Sequence, residues 1–207
     1  NYRKLLDLDD KYSGYQKVAA NVIAMDGTNW FSSFTIDKGS KEGIKKGMNV
    51  IAGSGLVGIV TDVGPNFAKV RSIIDDSSNV SSMVLTTKDN FNVGGSLKSM
   101  NQDKVLPFTE LRDEDDKVKV GDPVVTSYVS DQYQEGILIG YIASIEKNAN
   151  NLTKSGTITP VVDFQHLREV LVITTLKDTG EKELSSQKAS DTQTETQDNT
   201  ETQKSQE

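Results

Sequence analysis

For most of its length the chain alternates apolar and polar residues in short runs, and the exception comes at its start. Leu5, Leu8, Tyr12 and Tyr15 are spaced by three, four and three, the spacing of a heptad seam, which predicts the end of a coiled-coil helix over residues 1–16. A short amphipathic helix packed on its own domain would show the same spacing over so few turns. From Val18 the period changes to two. Val18, Ala20, Val22 and Ala24 share one face of an extended run that stops at Asp26-Gly27, a hairpin signal. Further β-branched runs follow near residues 30–36, 49–52, 56–63, 68–74 and 80–86, then 105–111, 124–127, 137–145, 156–161 and 169–176, divided by Gly, Pro, Asn and Asp. Many short strands with close turns predict an all-β barrel or sandwich.

Comparing the chain with itself sharpens this picture. Ile44-Lys45-Lys46-Gly47-Met48-Asn49-Val50-Ile51 matches Val118-Lys119-Val120-Gly121-Asp122-Pro123-Val124-Val125, and Leu56-Val57-Gly58-Ile59-Val60 matches Leu138-Ile139-Gly140-Tyr141-Ile142. A glycine at the same place inside two β-branched strands suits the corner of a small barrel. Two similar barrels are expected, one over 17–100 and one over 101–176, with strands free to cross between them. After Lys177 the chain is Ser, Thr, Gln, Glu, Asp and Lys with few apolar residues, and 177–207 is expected to be a disordered polar tail.

Composition removes several function classes. A formal net charge of -7 over 207 residues argues against nucleic acid, whose phosphates need a lysine or arginine surplus. With no cysteine and one histidine, His166, there is no thiolate nucleophile and no multi-histidine metal site. The chain opens on Asn1 and holds no run of ~20 apolar residues, so a signal or membrane anchor is expected upstream.

Three local motifs fail on context. Gly53-Ser54-Gly55-Leu56-Val57-Gly58 fits the dinucleotide fingerprint, but a β-branched run follows it where a helix must start. Asp75, Ser77 and Asn79 have the spacing of a calcium loop, yet Val80 and Thr86 stand where the turn glycine and bidentate glutamate belong. Asp113-Glu114-Asp115-Asp116 reads as a solvated acidic loop. Hydrolysis is the alternative that needs most care, because paired six-stranded barrels also build chymotrypsin-like proteases. Only His166 could act as the base, and no Gly-x-Ser-x-Gly or Gly-Asp-Ser-Gly surrounds any serine. A carbohydrate-binding module would want a row of exposed aromatics, and the chain is 6% aromatic with a single Trp.

A family resemblance rests on an ordered set of motifs. Phe34-Thr35-Ile36-Asp37-Lys38-Gly39-Ser40, Gly43, Gly47-Met48, Val50 and Gly55-Leu56-Val57-Gly58-Ile59-Val60 come first. Gly121-Asp122-Pro123-Val124-Val125-Thr126-Ser127, Gly136-Ile137-Leu138-Ile139-Gly140 and Pro160-Val161-Val162-Asp163-Phe164 follow in order. From about Val18 to Leu176 the set resembles the MreC family of rod-shape-determining proteins. Tyr128, where the family usually has glycine, and Gln134-Glu135 before Gly136 depart from its pattern.

The resemblance implies two barrels of chymotrypsin-like architecture without the triad, outside the cytoplasmic membrane, behind a dimerising coiled coil and an N-terminal membrane helix. It implies action by binding, without catalysis, cofactor or metal. The expected partners are the protein itself as a homo-dimer or higher oligomer, MreD, and the elongation-specific penicillin-binding protein with its glycosyltransferase partner, which the protein would hold or activate. Within this frame Leu5, Leu8, Tyr12 and Tyr15 are the expected self-association seam. Tyr128 and Tyr133 are the expected partner anchors, as aromatic residues in a strand-connecting loop. The alternative remains an extracytoplasmic cell-wall hydrolase or protease-like enzyme with a diverged site.

Overall fold

Each alternating run becomes one stave of a closed sheet. The computed structural model describes residues 12–25, 32–53, 55–113, 115–149 and 152–177. The first barrel joins β1 (Lys17–Met25), β2 (Ser33–Ile36), β3 (Asn49–Ala52), β4 (Gly55–Val63), β5 (Ala68–Ser72) and β12 (Glu169–Ile173). The second joins β6 (Asn79–Val84), β7 (Asn90–Gly94), β8 (Leu106–Leu111), β9 (Pro123–Thr126), β10 (Leu138–Lys147) and β11 (Lys154–Pro160). Every pairing among the described residues is antiparallel, and the rings close in the orders β1-β12-β3-β4-β5-β2 and β10-β11-β8-β7-β6-β9. The expected class, all-β with two six-stranded barrels, is the observed one. The chain crosses to the second barrel after β5 and returns after β11, so residue 100, expected near a boundary, lies in the short helix α1 (Leu97–Gln102) between β7 and β8.

Closure removes the sheet edges, and the inward residues fill each interior. Ile36, Val50, Val70, Val170 and Val172 are fully buried in the first barrel, as are Val80, Val84, Leu106 and Ile158 in the second. Burying each such side chain stabilises by roughly 1.5–3 kcal/mol. Phe91 and Phe108 complete the second interior with ring centroids 5.1 Å apart and planes at 59°, the tilted geometry aromatic pairs favour.

The sequence duplication is a duplication of hydrogen bonds. Gly47 and Gly121 both take left-handed φ, 87° and 93°. The Gly47 N–H donates to the Val60 carbonyl at 2.9 Å and the Gly121 N–H to the Ile142 carbonyl at 2.8 Å. In return the Val60 N–H donates to Met48 and the Ile142 N–H to Asp122. Gly58 lies between Val50 and Ser72, and Gly140 between Val124 and Pro160. Laid on one another, β3, β4, β5, β2 and β1 correspond to β9, β10, β11, β8 and β7, which leaves β12 as the counterpart of β6. One ring is therefore a circular permutation of the other: the strand that opens the second barrel's run has its equivalent at the far end of the chain.

In the acidic run at 113–116, Asp115 and Asp116 are exposed as expected, but Asp113 is not. Asp113 is almost wholly buried, its carboxylate 2.7 Å from the equally enclosed Lys154 ammonium, and it accepts from the N–H groups of Lys117 and Val118 at 2.8 and 3.0 Å. Asp116 joins Lys154 from the exposed side and pairs with Lys147 at 3.0 Å. Burial alone would raise the Asp113 carboxyl, but the Lys154 ammonium and the two backbone donors outweigh it and hold the group below the ordinary carboxylate range. Burial alone would lower Lys154, and its two carboxylate partners instead hold it above the usual lysine value.

Two predictions follow from these contacts. A methyl on Gly58 would lie 2.0 Å from the Arg71 carbonyl oxygen, and one on Gly140 would lie 2.2 Å from that of Thr159. Gly58→Ala and Gly140→Ala should each cost about 1–3 kcal/mol or more in urea unfolding, while Gly14→Ala, with open space around it, should stay within about 0.5 kcal/mol. The Asp113 contribution is present above its unfolded pKa of about 4 and is lost as pH falls through the lower folded value. That of Lys154 is present below about pH 10 and is lost as pH rises through the higher folded value. Asp113→Asn should destabilise by about 3–5 kcal/mol at neutral pH, and its stability should fall less steeply than the wild type's as pH drops below about 4.

Candidate functional site

The two copies differ most where β3 meets β4 and β9 meets β10. Residues 53 and 54 make the first connection, whereas residues 127–137 make the second. A longer loop in one copy of a duplication is where a scaffold carries something besides closure. This one leaves its own barrel and lies as a strap on the other. Asn49, at the start of β3 and 2% exposed, holds it: its Oδ1 accepts from the Gln134 N–H at 2.7 Å and its Nδ2 donates to the Gln132 carbonyl at 2.9 Å. Gln134 Nε2 donates to the Thr175 carbonyl at 2.9 Å, just past β12. Inside the strap the Ser130 hydroxyl accepts from the Tyr133 N–H at 3.0 Å, and the Thr126 hydroxyl accepts from the Ile137 N–H at 2.8 Å.

Beneath the strap the barrels meet through faces that the duplication makes equivalent. Met83, Val125 and Leu138 sit opposite one another across β6, β9 and β10, and Leu171, Ile51 and Leu56 across β12, β3 and β4. These residues alternate with the barrel-filling ones and are buried all the same, and Met83, Val125 and Leu138 form a small cluster of their own with Val161 packed against it. Gly55 marks how close the approach is: a methyl there would sit 2.5 Å from the Leu138 carbonyl oxygen and 2.4 Å from a Val161 methyl. The fingerprint-like glycines thus serve a tight turn and a barrel contact.

The aromatic residues singled out in the sequence divide into inward and outward sets. Leu5 and Leu8 lie outside the described residues. Tyr12, 7% exposed, points at its own second barrel, where its phenol oxygen accepts from the Leu138 N–H at 3.0 Å. Tyr15 donates its hydroxyl to the Glu135 carbonyl at 3.1 Å. Both phenols are raised above the ordinary tyrosine value, first by burial. Tyr133, expected to anchor a partner, is 2% exposed and buried within its own chain. Burial pushes its phenol up to about 12 against the pull of the Arg71 guanidinium, so this ring is structural. Tyr128 is 54% exposed, its neighbour Val129 58%, and Lys177 donates to the Tyr128 carbonyl at 3.3 Å. The strap therefore turns one tyrosine in and presents the other.

The remaining candidates have local duties. Asp163 caps the 3-10 turn Phe164–His166 through the Gln165 N–H and binds the His166 imidazole at 2.7 Å, both side chains well exposed. The imidazole hydrogen bond lowers the Asp163 carboxyl first of all. No hydroxyl among the described residues is hydrogen-bonded to that ring. Asp75 closes its own turn by accepting from the Ser77 N–H at 2.9 Å. Asn49 was not singled out from sequence, and Gln134 only as a departure from the family pattern. Their signals were present, in a polar side chain opening the apolar run Asn49-Val50-Ile51-Ala52 and in the unequal loops of the two copies.

Comparison with known proteins gives one family. The profile described as "Rod shape-determining protein MreC, barrel core" matches residues 22–174. The cell shape-determining protein MreC of Listeria monocytogenes is 33% identical over 83% of this chain and 58% of its own length, so the chain spans little more than half of that relative. A solved Listeria monocytogenes MreC is 31% identical, covers 86% of this chain and 88% of its own, and superposes with a TM-score of 0.70. An MreC from Helicobacter pylori, solved in complex with a penicillin-binding protein, shares the fold at 12% identity and a TM-score of 0.57, covering 77% of this chain and 100% of its own.

Asn49 gives the junction its test. Asn49→Ala leaves the Gln134 N–H and the Gln132 carbonyl without partners and should cost about 1–3 kcal/mol. Amide exchange in residues 130–137 should accelerate in that variant before exchange in β6 or β7 does.

Proposed function

Since the chain belongs to the MreC family of rod shape-determining proteins, we propose that it works by binding, as a non-catalytic scaffold for cell-wall synthesis. The partner class is a penicillin-binding protein of wall elongation. The observation that carries this reading is the strap: Asn49, Gln134 and buried Tyr133 fix its far half, while Tyr128 and Val129 stand outward beside them. An aromatic side chain on a loop already fastened by hydrogen bonds loses little further conformational freedom on binding, which is what an interface anchor requires. The complex solved for the Helicobacter relative supports a penicillin-binding protein as partner. A surface held in one geometry would favour the partner conformation that fits it, and so shift the synthase toward an active arrangement.

The other family expectations belong to the same proposal. They are placement outside the cytoplasmic membrane behind an upstream anchor, association with MreD and the glycosyltransferase partner, and self-association through the seam that begins at Leu5 and Leu8. Tyr12 and Tyr15 would then join that seam to the second barrel through Leu138 and Glu135.

Binding of the whole chain to a detergent-solubilised elongation transpeptidase tests the reading. Tyr128→Ala should weaken it about 30-fold, the effect of a hot spot worth ~2 kcal/mol, with the unfolding midpoint unchanged. Unaltered affinity in both Tyr128→Ala and Val129→Asp would remove the strap from the interface.

A further inference from the structure

The wall of the second barrel parts between β7 and β8. Their ladder pairs Asn92 with Thr109 and Val93 with Phe108, and it stops there because Glu110 takes a left-handed φ of 63°. Glu110 lies in a bulge of β8, which stays paired to β11 on both sides of it, Phe108 with Gly156 and Leu111 with Lys154. On the opposite side the Val84 N–H donates to the Asp89 carbonyl at 3.0 Å. Backbone groups of an antiparallel strand face alternate neighbours, so Asp89 and Phe91 address β6, and Asn90 addresses the space β8 has vacated. The Asn90 N–H and carbonyl are an open strand edge inside an otherwise closed barrel.

That space is a groove. A cleft of about 450 Å³ lies between Asn90 and Asn92 on one bank and Glu110 and Arg112 on the other, with Val129 at its rim. A second, of about 520 Å³, continues beyond Arg112 past Thr87, Asp89 and Lys117, with Asp113 and Asp115, both already ion-paired, also in its lining. Arg112 belongs to both, and it makes no ion pair among the described residues. Lys117, by contrast, is already paired with Asp115. The groove thus offers a free strand edge and a guanidinium without an ion-pair partner among the described residues.

We infer that this groove binds an extended peptide segment of a partner protein, added as a strand beside Asn90 with an acidic side chain on Arg112. Strand addition supplies affinity through the main chain and specificity through alternate side chains. The bidentate fit of guanidinium to carboxylate makes an acidic residue the one to face Arg112. A glycan would satisfy the Asn90 and Asn92 side-chain amides but leave both the strand edge and the charge unanswered. The inference rests on the second barrel alone. Loss of synthase binding in the Tyr128 variant and loss of peptide binding in an Arg112 variant are separate results, and either can occur without the other.

The probe is a displayed library of random linear peptides about nine residues long, enough at ~3.3 Å per residue to run the length of the groove. It is selected on the whole chain and counter-selected on Arg112→Glu. Enriched peptides should alternate apolar and polar residues around one Asp or Glu. A synthetic peptide of that set should bind about tenfold or more weakly to Arg112→Glu, and to the wild type after N-methylation of alternate amides. Replacing its acid by lysine should restore binding to Arg112→Glu. Arg112→Gln is measured alongside, so that a folding defect in the charge reversal cannot account for the loss. Equal enrichment on both chains, binding indifferent to N-methylation, or displacement of the peptide by chitooligosaccharides would overturn the inference.

Discussion

β12 lies between β1 and β3, so the first barrel is not a closed sheet until the chain has run through the whole of the second. Most of the architecture depends on that constraint. A strand missing from a six-membered ring exposes two edges and opens a packed interior, and neither is tolerable in a small barrel. The second barrel is a long insertion between β5 and β12, held where its entry and exit strands are fixed. The junction follows. Leu171 and Ile51 form their outward face only when β12 is in place, and Thr175, just beyond β12, is the acceptor for Gln134.

The strap is the surface proposed for recognition, and the same constraint holds it in place. Loops on small barrels are ordinarily the most mobile part, and mobility weakens binding because the loop must be ordered on contact. Here hydrogen bonds to Asn49 and Thr175 and the burial of Tyr133 tie the loop to the barrel it did not come from. The groove between β7 and β8 is the converse case, a place where closure is deliberately incomplete. Glu110 adopts a backbone conformation that costs a β-carbon-bearing residue ~1–2 kcal/mol, and the return for that cost is an open strand edge. Both features sit on the second barrel, leaving the first to close the unit and receive the strap.

Much of this was legible in the sequence because it is written in glycines. Gly47 and Gly121 need left-handed φ, Gly58 and Gly140 need room for a neighbouring carbonyl, and such residues repeat whenever the backbone does. The permutation was not legible, since ring order is decided by which edges remain open, and 169–176 looks like any other β-branched run. Nor was the inward turn of Tyr133: Tyr128 and Tyr133 sit in the same polar loop, and contacts with the distant Asn49 and Thr175 help separate their fates. Tyr12 and Tyr15 satisfy a heptad spacing and also a docking site, because an amphipathic stretch shows which face is buried but not against what. Asp113 looked solvated beside its acidic neighbours because its counterion, Lys154, is far away in sequence.

Central here is the claim that the two barrels form one cooperative body closed by β12. Native-state hydrogen exchange across increasing urea measures this directly. If the claim holds, the slowest amides of β3, β12, β9 and β10 converge on one opening free energy and one urea dependence. If β3 and β4 stay protected after β9 and β10 have exchanged through a separate, smaller opening, the barrels are independent and the claim fails.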